Sequence, residues 1–242
     1  MNKLPAILAL CVTAIICTVL LAGAYKSRNN KVENIYVTGL GKKDFVSDLI
    51  VWNGSFSRKY MQMPDAYAAL NKDREAILNY LVGKGISSDK IVFSAVDIDK
   101  DFKYNYDDKG NSTSVFTGFR LTQSVKIESN EVNKVETISR EVTELINQGI
   151  EFYSQAPRYY YTKLSDLKIE MIAEATQDAT ERANKIAENA GASLGNLKSA
   201  RMGVFQIVGQ NSNEDFSWGG SYNTSSKNKT ANITMKLTFG IE

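Results

Sequence analysis

Residues 49–85 read LIVWNGSFSRKYMQMPDAYAALNKDREAILNYLVGKG, and the period of their apolar side chains changes once along the way. Over residues 49–60, Ile50, Trp52 and Phe56 alternate with Val51, Asn53, Ser55 and Ser57, the period of two of a long half-buried strand. From Pro64-Asp65 onward, Ala66, Ala69, Leu70, Ile77 and Leu81 return every three or four residues. Proline suits the first turn of a helix, and Gly83 and Gly85 mark its end. A one-sided strand followed at once by a one-sided helix predicts an α+β layer, with the helix packed on the sheet.

Downstream the alternation repeats. Over residues 91–106, Val96, Ile98, Phe102, Tyr104 and Tyr106 share one face and Asp97, Asp99 and Asp101 the other. The turn residues Asp107-Asp108-Lys109-Gly110-Asn111 lead to a partner strand in which Phe119, Leu121, Val125 and Ile127 alternate with Arg120, Thr122, Ser124 and Lys126. This predicts a long antiparallel hairpin with one wet face. A second helix is expected over residues 131–147, with Val132, Val135, Ile138, Val142, Leu145 and Ile146 as its stripe and Gly149 as its stop, followed by a strand over 150–154. The order strand, helix, strand, strand, helix, strand is a split βαβ, ferredoxin-like layer of antiparallel strands.

A third, longest helix is expected over residues 166–190, capped by Ser165 and ended by Gly191. Its Ala175, Ala179, Ala183 and Ala187 recur every fourth residue, a row that lets a sheet or a second helix approach closely. Packing on its own sheet is the preferred reading, with pairing between subunits the other. A strand over 35–38, breaking at Gly39 and Gly41, precedes all of this, and strands near 200–208 and 231–241 close the chain. Between the last two lies a Gly/Ser/Asn-rich stretch, 209–230, with Phe216, Trp218 and Tyr222, long enough to be functional or disordered.

The first apolar run, residues 4–25, is long enough to span a hydrocarbon core of about 30 Å as a helix. Two readings stand: a signal peptide cleaved near Ala22-Gly23-Ala24, and an uncleaved signal anchor, which the length of the run favours. Residues 1–31 are therefore read as anchor or signal plus linker. Residues 32–242 form the exported domain, as one body or two lobes, in the cell envelope: anchored to the inner membrane, or periplasmic if the signal is removed.

Both cysteines, Cys11 and Cys17, lie in that run, and the chain has no histidine. The exported part thus lacks an imidazole base, a thiolate nucleophile, a disulfide and the usual zinc ligands. With 29 basic against 27 acidic residues, it has no charge excess suited to nucleic acid. Asp97, Asp99 and Asp101 miss the calcium-loop pattern, because Phe102 stands where glycine is required. Gly39-Leu40-Gly41 lacks the third glycine of a dinucleotide site. Paired carboxylates can hydrolyse a glycoside, but no spacing singles out a pair. The sequence therefore predicts no catalytic residue, no metal and no cofactor. The candidates that remain are aromatic binding or interface residues: Tyr104 and Tyr106 in the hairpin, Tyr159 and Tyr160 after Pro157-Arg158, and Trp218.

The strand Ile35-Tyr-Val-Thr-Gly39-Leu-Gly41, the helix end Gly85-Ile-Ser-Ser-Asp-Lys-Ile91, and the hairpin Tyr104-Asn-Tyr106 to Thr117-Gly-Phe-Arg120 then acquire a context. With the helix from Glu131 and the Ala-rich helix ending Gly191-Ala-Ser-Leu-Gly195, they resemble the SIMPL domain family of bacterial periplasmic immunogenic and oxidative-stress defence proteins. The resemblance covers nearly everything after residue 32. It implies an α+β envelope domain, assembly into homo-oligomers, no established reaction and a setting in stress protection. The expectation is a non-enzymatic envelope protein, held to the membrane by residues 4–25, that acts through self-association or partner binding. The alternative is a module that captures peptidoglycan or a peptide on exposed aromatics.

Overall fold

The computed structural model describes residues 4–28, 33–106 and 110–242, with side chains of the first helix described over 12–25. In chain order its elements are α1 (Leu4–Arg28), β1 (Asn34–Val46), β2 (Leu49–Tyr60), α2 (Met63–Gly83), β3 (Ile91–Phe93), β4 (Asp97–Tyr106), β5 (Ser112–Ser129) and α3 (Val132–Glu141). There follow β6 (Phe152–Ser154), β7 (Arg158–Tyr160), α4 (Leu164–Asn189), β8 (Leu194–Met202), β9 (Gln206–Gly209), β10 (Ser221–Tyr222) and β11 (Asn228–Ile241). The class is α+β, and the chain divides into two compact units.

The larger unit comprises Gly41–Ile172 and Val204–Ile233. Its main sheet has the order β3-β5-β2-β6, with β4 also on β5 and β7 also on β2, and every pair is antiparallel. β2 and β3 therefore run the same way, joined through α2 with β5 between them, and β5 and β6 are joined through α3 with β2 between them. That is the split βαβ order the sequence predicts. The alternation of β2 decides which face is dry: Ile50, Trp52 and Phe56 are buried against Leu70, Ile77 and Leu81 of α2 and Val135 and Ile138 of α3. Each such side chain contributes roughly 1.5–3 kcal/mol by leaving water. Gly54 sits in the same row because a Cβ there would lie 2.1 Å from the Phe152 ring. At the end of the row, the Arg58 guanidinium reaches Asp73 on α2 and the carbonyl of Gly149. In this unit β9 also pairs antiparallel with residues 229–232 of β11, and β10 runs parallel on β9.

The smaller unit comprises Met1–Leu40, Ala173–Gly203 and Thr234–Glu242. Here the Ala179, Ala183 and Ala187 row of α4 packs on Ile35 and Val37 of β1 and Leu237 and Phe239 of β11, so the alanines serve the helix's own sheet. β8 pairs antiparallel with residues 235–241 of β11. The approach is close enough that a Cβ on Gly39 would lie 2.1 Å from the Ala175 carbonyl oxygen and 2.5 Å from the Ala179 nitrogen.

That contact corrects the predicted break at Gly39 and Gly41. β1 runs on to Val46, and Gly39 is where the strand backbone meets the helix backbone. The predicted strand over 91–106 is two strands, because Ser94 leaves the alternation to donate its N–H to the Ser124 carbonyl and accept from the Gln123 amide. The second helix relaxes after Glu141 into a 3-10 stretch, Val142–Gln148, before the left-handed Gly149. The strand expected over 200–208 is β8 and β9, separated at 203–205, and Ser165 lies inside α4. The stretch 209–230 contains β10 and the start of β11. Of the predicted hairpin turn, residues 107–109 lie outside the described residues. α1 is helical, as the apolar run predicts. Among the described residues no helix is long and apolar enough to cross a membrane, and the described side chains of α1 cover only 12–25, short of the roughly 20 residues a span needs.

Candidate functional site

The hairpin of β4 and β5 outruns the sheet it belongs to. The last rung between β2 and β5 is Tyr60 with Phe119, whereas β4 and β5 stay paired from Asp97 with Thr122 to Tyr106 with Ser112. Beyond Gly118 the hairpin is an arm of two strands only. Its base is a bulge between Asp101 and Phe102, where Gly118 takes φ +130° and a Cβ would lie 2.6 Å from the Tyr60 carbonyl oxygen. Only glycine fits both conditions.

The apolar face of the sheet continues along this arm. Phe119 packs against the core, Phe116 lies 5.1 Å from it edge to face, and Phe102 lies 5.7 Å from Phe116 in the same manner. Tyr104 and Tyr106 extend the row and are 60% and 73% exposed. On the opposite face Asp101 sits between Arg120, at 2.7 Å, and Lys59, at 3.0 Å. Those two cations hold its carboxyl below the usual range, Arg120 contributing most. The outer edge of β4 has no partner strand among the described residues. Two strands alone are marginal in water, and an unpaired edge with an apolar face is a ready template for another chain.

A second feature surrounds Trp218, which is 99% exposed. Its loop is held from below by buried polar side chains. The Gln206 amide of β9 donates to the Ser217 carbonyl at 2.6 Å, and its oxygen accepts from the Ser217 N–H and the Ser221 hydroxyl. Lys229 is fully buried in line with Ala231 and Ile233, and its ammonium donates to the carbonyls of Asn223 and Ser226. Burial pushes Lys229 down to about 8, against the pull of Glu214. Glu214 itself accepts from the Asn223 amide and the Gly209 N–H.

The two remaining sequence candidates separate. β7 alternates, so Tyr159 turns into the core, 7% exposed, with its hydroxyl 3.1 Å from Glu136. Burial first, and that hydrogen bond second, push Tyr159 up to about 12. It is a structural residue and not part of an exposed platform. Tyr160 faces the other way, half-buried, with its ring 6.4 Å from that of Tyr222. The structure thus gathers Tyr104 and Tyr106 on the arm, leaves Trp218 apart on its loop, and withdraws Tyr159. The sequence candidates omit Phe116 and the Gln206, Glu214 and Lys229 clasp. The one available signal was Lys229 at the buried parity of its strand.

Beside the N-terminus of α3 lies an open cleft of about 490 Å³ that includes Asp48, Glu131, Lys134 and Lys227. Its carboxylates are engaged: Asp48 accepts from the Thr162 N–H and hydroxyl, and Glu131 pairs with Lys134. Among the described residues, no group of three acidic, histidine or cysteine side chains is placed to hold a metal.

No curated protein matches this chain. The profile of the SIMPL family, described as a protein of unknown function (DUF541), matches residues 35–236, from the first strand into the last. The match takes in both units and both aromatic features, and the chain belongs to the SIMPL family.

Proposed function

We propose that this chain is a non-enzymatic protein of the cell envelope, held at the membrane by residues 4–25, whose folded part works by binding a second copy of itself along the β4–β5 arm. The observation that carries the reading is the uncovered continuation of the core face, Phe116, Phe102, Tyr104 and Tyr106, on a ribbon with an unpaired edge. In an antiparallel pairing of two β4 strands centred on Asp101, Asp99 of each copy faces Lys103 of the other and Ile98 faces Tyr104, while the two Asp101 carboxylates that meet at the centre are each countered by Arg120 and Lys59 of their own chain. The lack of histidine and of cysteine after Cys17 supports a binding role, and protection against envelope or oxidative stress is the setting the family resemblance implies.

The experiment is a photo-crosslinking amino acid in place of Tyr104 in the full chain, activated in its native membrane. The reading expects an adduct of two 26.9 kDa chains joined through the arm. An adduct with peptidoglycan or an unrelated peptide would instead support the alternative, a capture module using the same tyrosines as a stacking platform. No adduct would count against both.

A further inference from the structure

Residues 216–222, FSWGGSY, hold three aromatic side chains and no charge. Phe216 and Trp218 are 67% and 99% exposed. Exposure this complete on a floppy loop would mean little, but this tip is built. The Ser217 N–H and carbonyl are both bonded to the buried Gln206 amide, Gly220 N–H donates to the same carbonyl, and Gly219 N–H reaches the Ser217 hydroxyl. The nearest acid but one, Glu214, is turned inward.

Two consequences follow. The bonds of Ser217, Gly219 and Gly220 fix the shape of the tip, while the Trp218 N–H and C=O make no bond among the described residues and need water or headgroup partners, so the tip suits the hydrated interfacial zone and not the hydrocarbon core. A lone indole standing clear of the surface between Ser217 and Gly219 also lacks the surrounding contacts that seal a Trp anchor at a protein interface. It fits a soft partner better than a rigid one. Its N–H makes no hydrogen bond among the described residues and is free for a headgroup, the division of apolar body and polar tip that draws Trp and Tyr to bilayer interfaces.

We propose that the 216–222 tip docks into the interfacial zone of a zwitterionic bilayer, with Trp218 as its inserted side chain. The inference rests on the proposed anchoring of residues 4–25. Anchoring tethers the folded part to the bilayer and turns a weak contact into an intramolecular one. Asp215, exposed at the edge of the tip, disfavours a strongly anionic surface.

The test uses the full chain reconstituted into phosphatidylcholine vesicles, with and without brominated acyl chains. The chain has two tryptophans, and Trp52 is fully buried, so a Trp218→Phe chain supplies the signal to subtract. The expected result is Trp218 emission that moves to shorter wavelength, is quenched by the brominated lipid and loses several-fold of its access to iodide. If the chain floats with the vesicles while Trp218 stays open to iodide and unquenched by bromine, the docking is overturned and the anchoring stands. If the chain does not float, the anchoring reading fails and the docking fails with it. Protection of Trp218 by added peptidoglycan, or by raising protein concentration in detergent alone, also overturns the proposal and assigns the tip to a glycan or to a second copy.

Discussion

Arg58 offers the sharpest energetic test of the larger unit. Its Nε and Nη2 donate to the two carboxylate oxygens of Asp73 at 2.5 and 2.8 Å, and Nη2 also donates to the Gly149 carbonyl at 2.8 Å. One guanidinium thereby ties β2, α2 and the turn after the 3-10 stretch. The partners differ in exposure, 30% for the Arg58 side chain and 6% for Asp73. Arg58→Met keeps the aliphatic stem but leaves a buried carboxylate without a partner. Such a loss costs about 3–5 kcal/mol in a fully buried pair, and the partial exposure of Arg58 lowers the expectation here to roughly 2–3 kcal/mol. Asp73→Leu leaves a guanidinium that can turn toward water while keeping Gly149, and costs about 1–2 kcal/mol. The double variant removes both charges and costs about as much as the milder single change, so the two effects couple by roughly 2–3 kcal/mol. The assay is urea unfolding of the full chain in mild detergent, read through Trp52 in a Trp218→Phe background. If the single costs simply add in the double variant, to within about 0.5 kcal/mol, the pair is not the shared tie described here.

Gly39→Ala should destabilise the chain by about 1–3 kcal/mol, because the new Cβ meets backbone of α4 at 2.1 Å and not a side chain that can swing away. Gly219→Ala, with nothing within 4 Å, is the matched control, and equal melting temperatures for the two would refute the close approach. Lys229 gives a pH signature. Its folded value is about 8 against the ordinary 10.5, so the unfolded chain binds the extra proton between those values and stability rises with pH above about 8. Tyr159, at about 12 in the fold against 10.0, ionises first in the unfolded chain and reverses the trend above about pH 10. Urea midpoints at about pH 7.5 and 9.5 should therefore increase in the wild type and stay level in Lys229→Met. A rise of equal size in that variant refutes the buried ammonium.

The layer around β2 was legible because its rules are local. Alternation set the buried face of β2 and β5, helical period set α2 and α4, and the alternating order of strands and helices set the split βαβ. The misreadings share a different cause, since each depends on what lies across space. Gly39 reads as a strand end in isolation, and only the backbone of Ala175 and Ala179 shows why a strand keeps a glycine there. Ser94 interrupts a good alternating run because Gln123 and Ser124 bond to it. The tyrosines after Pro157 look equivalent in sequence, yet a three-residue strand sends Tyr159 inward and Tyr160 outward. The hairpin aromatics were visible as a period of two. That the arm outruns β2, leaving them uncovered, depends on a strand length set by the bulge at Gly118.

Whether the arm joins two copies is measured most directly by the mass of the full chain in a density-matched detergent, by sedimentation equilibrium across a dilution series, alongside Phe102→Ser/Tyr104→Ser/Tyr106→Ser. These three side chains lie beyond the last rung with β2, so the variant keeps the core of the unit. The account predicts a wild type that stays a dimer or larger on dilution and a variant that sediments as a single 26.9 kDa chain. A wild type that is monomeric at every concentration, or a variant that assembles as the wild type does, contradicts it.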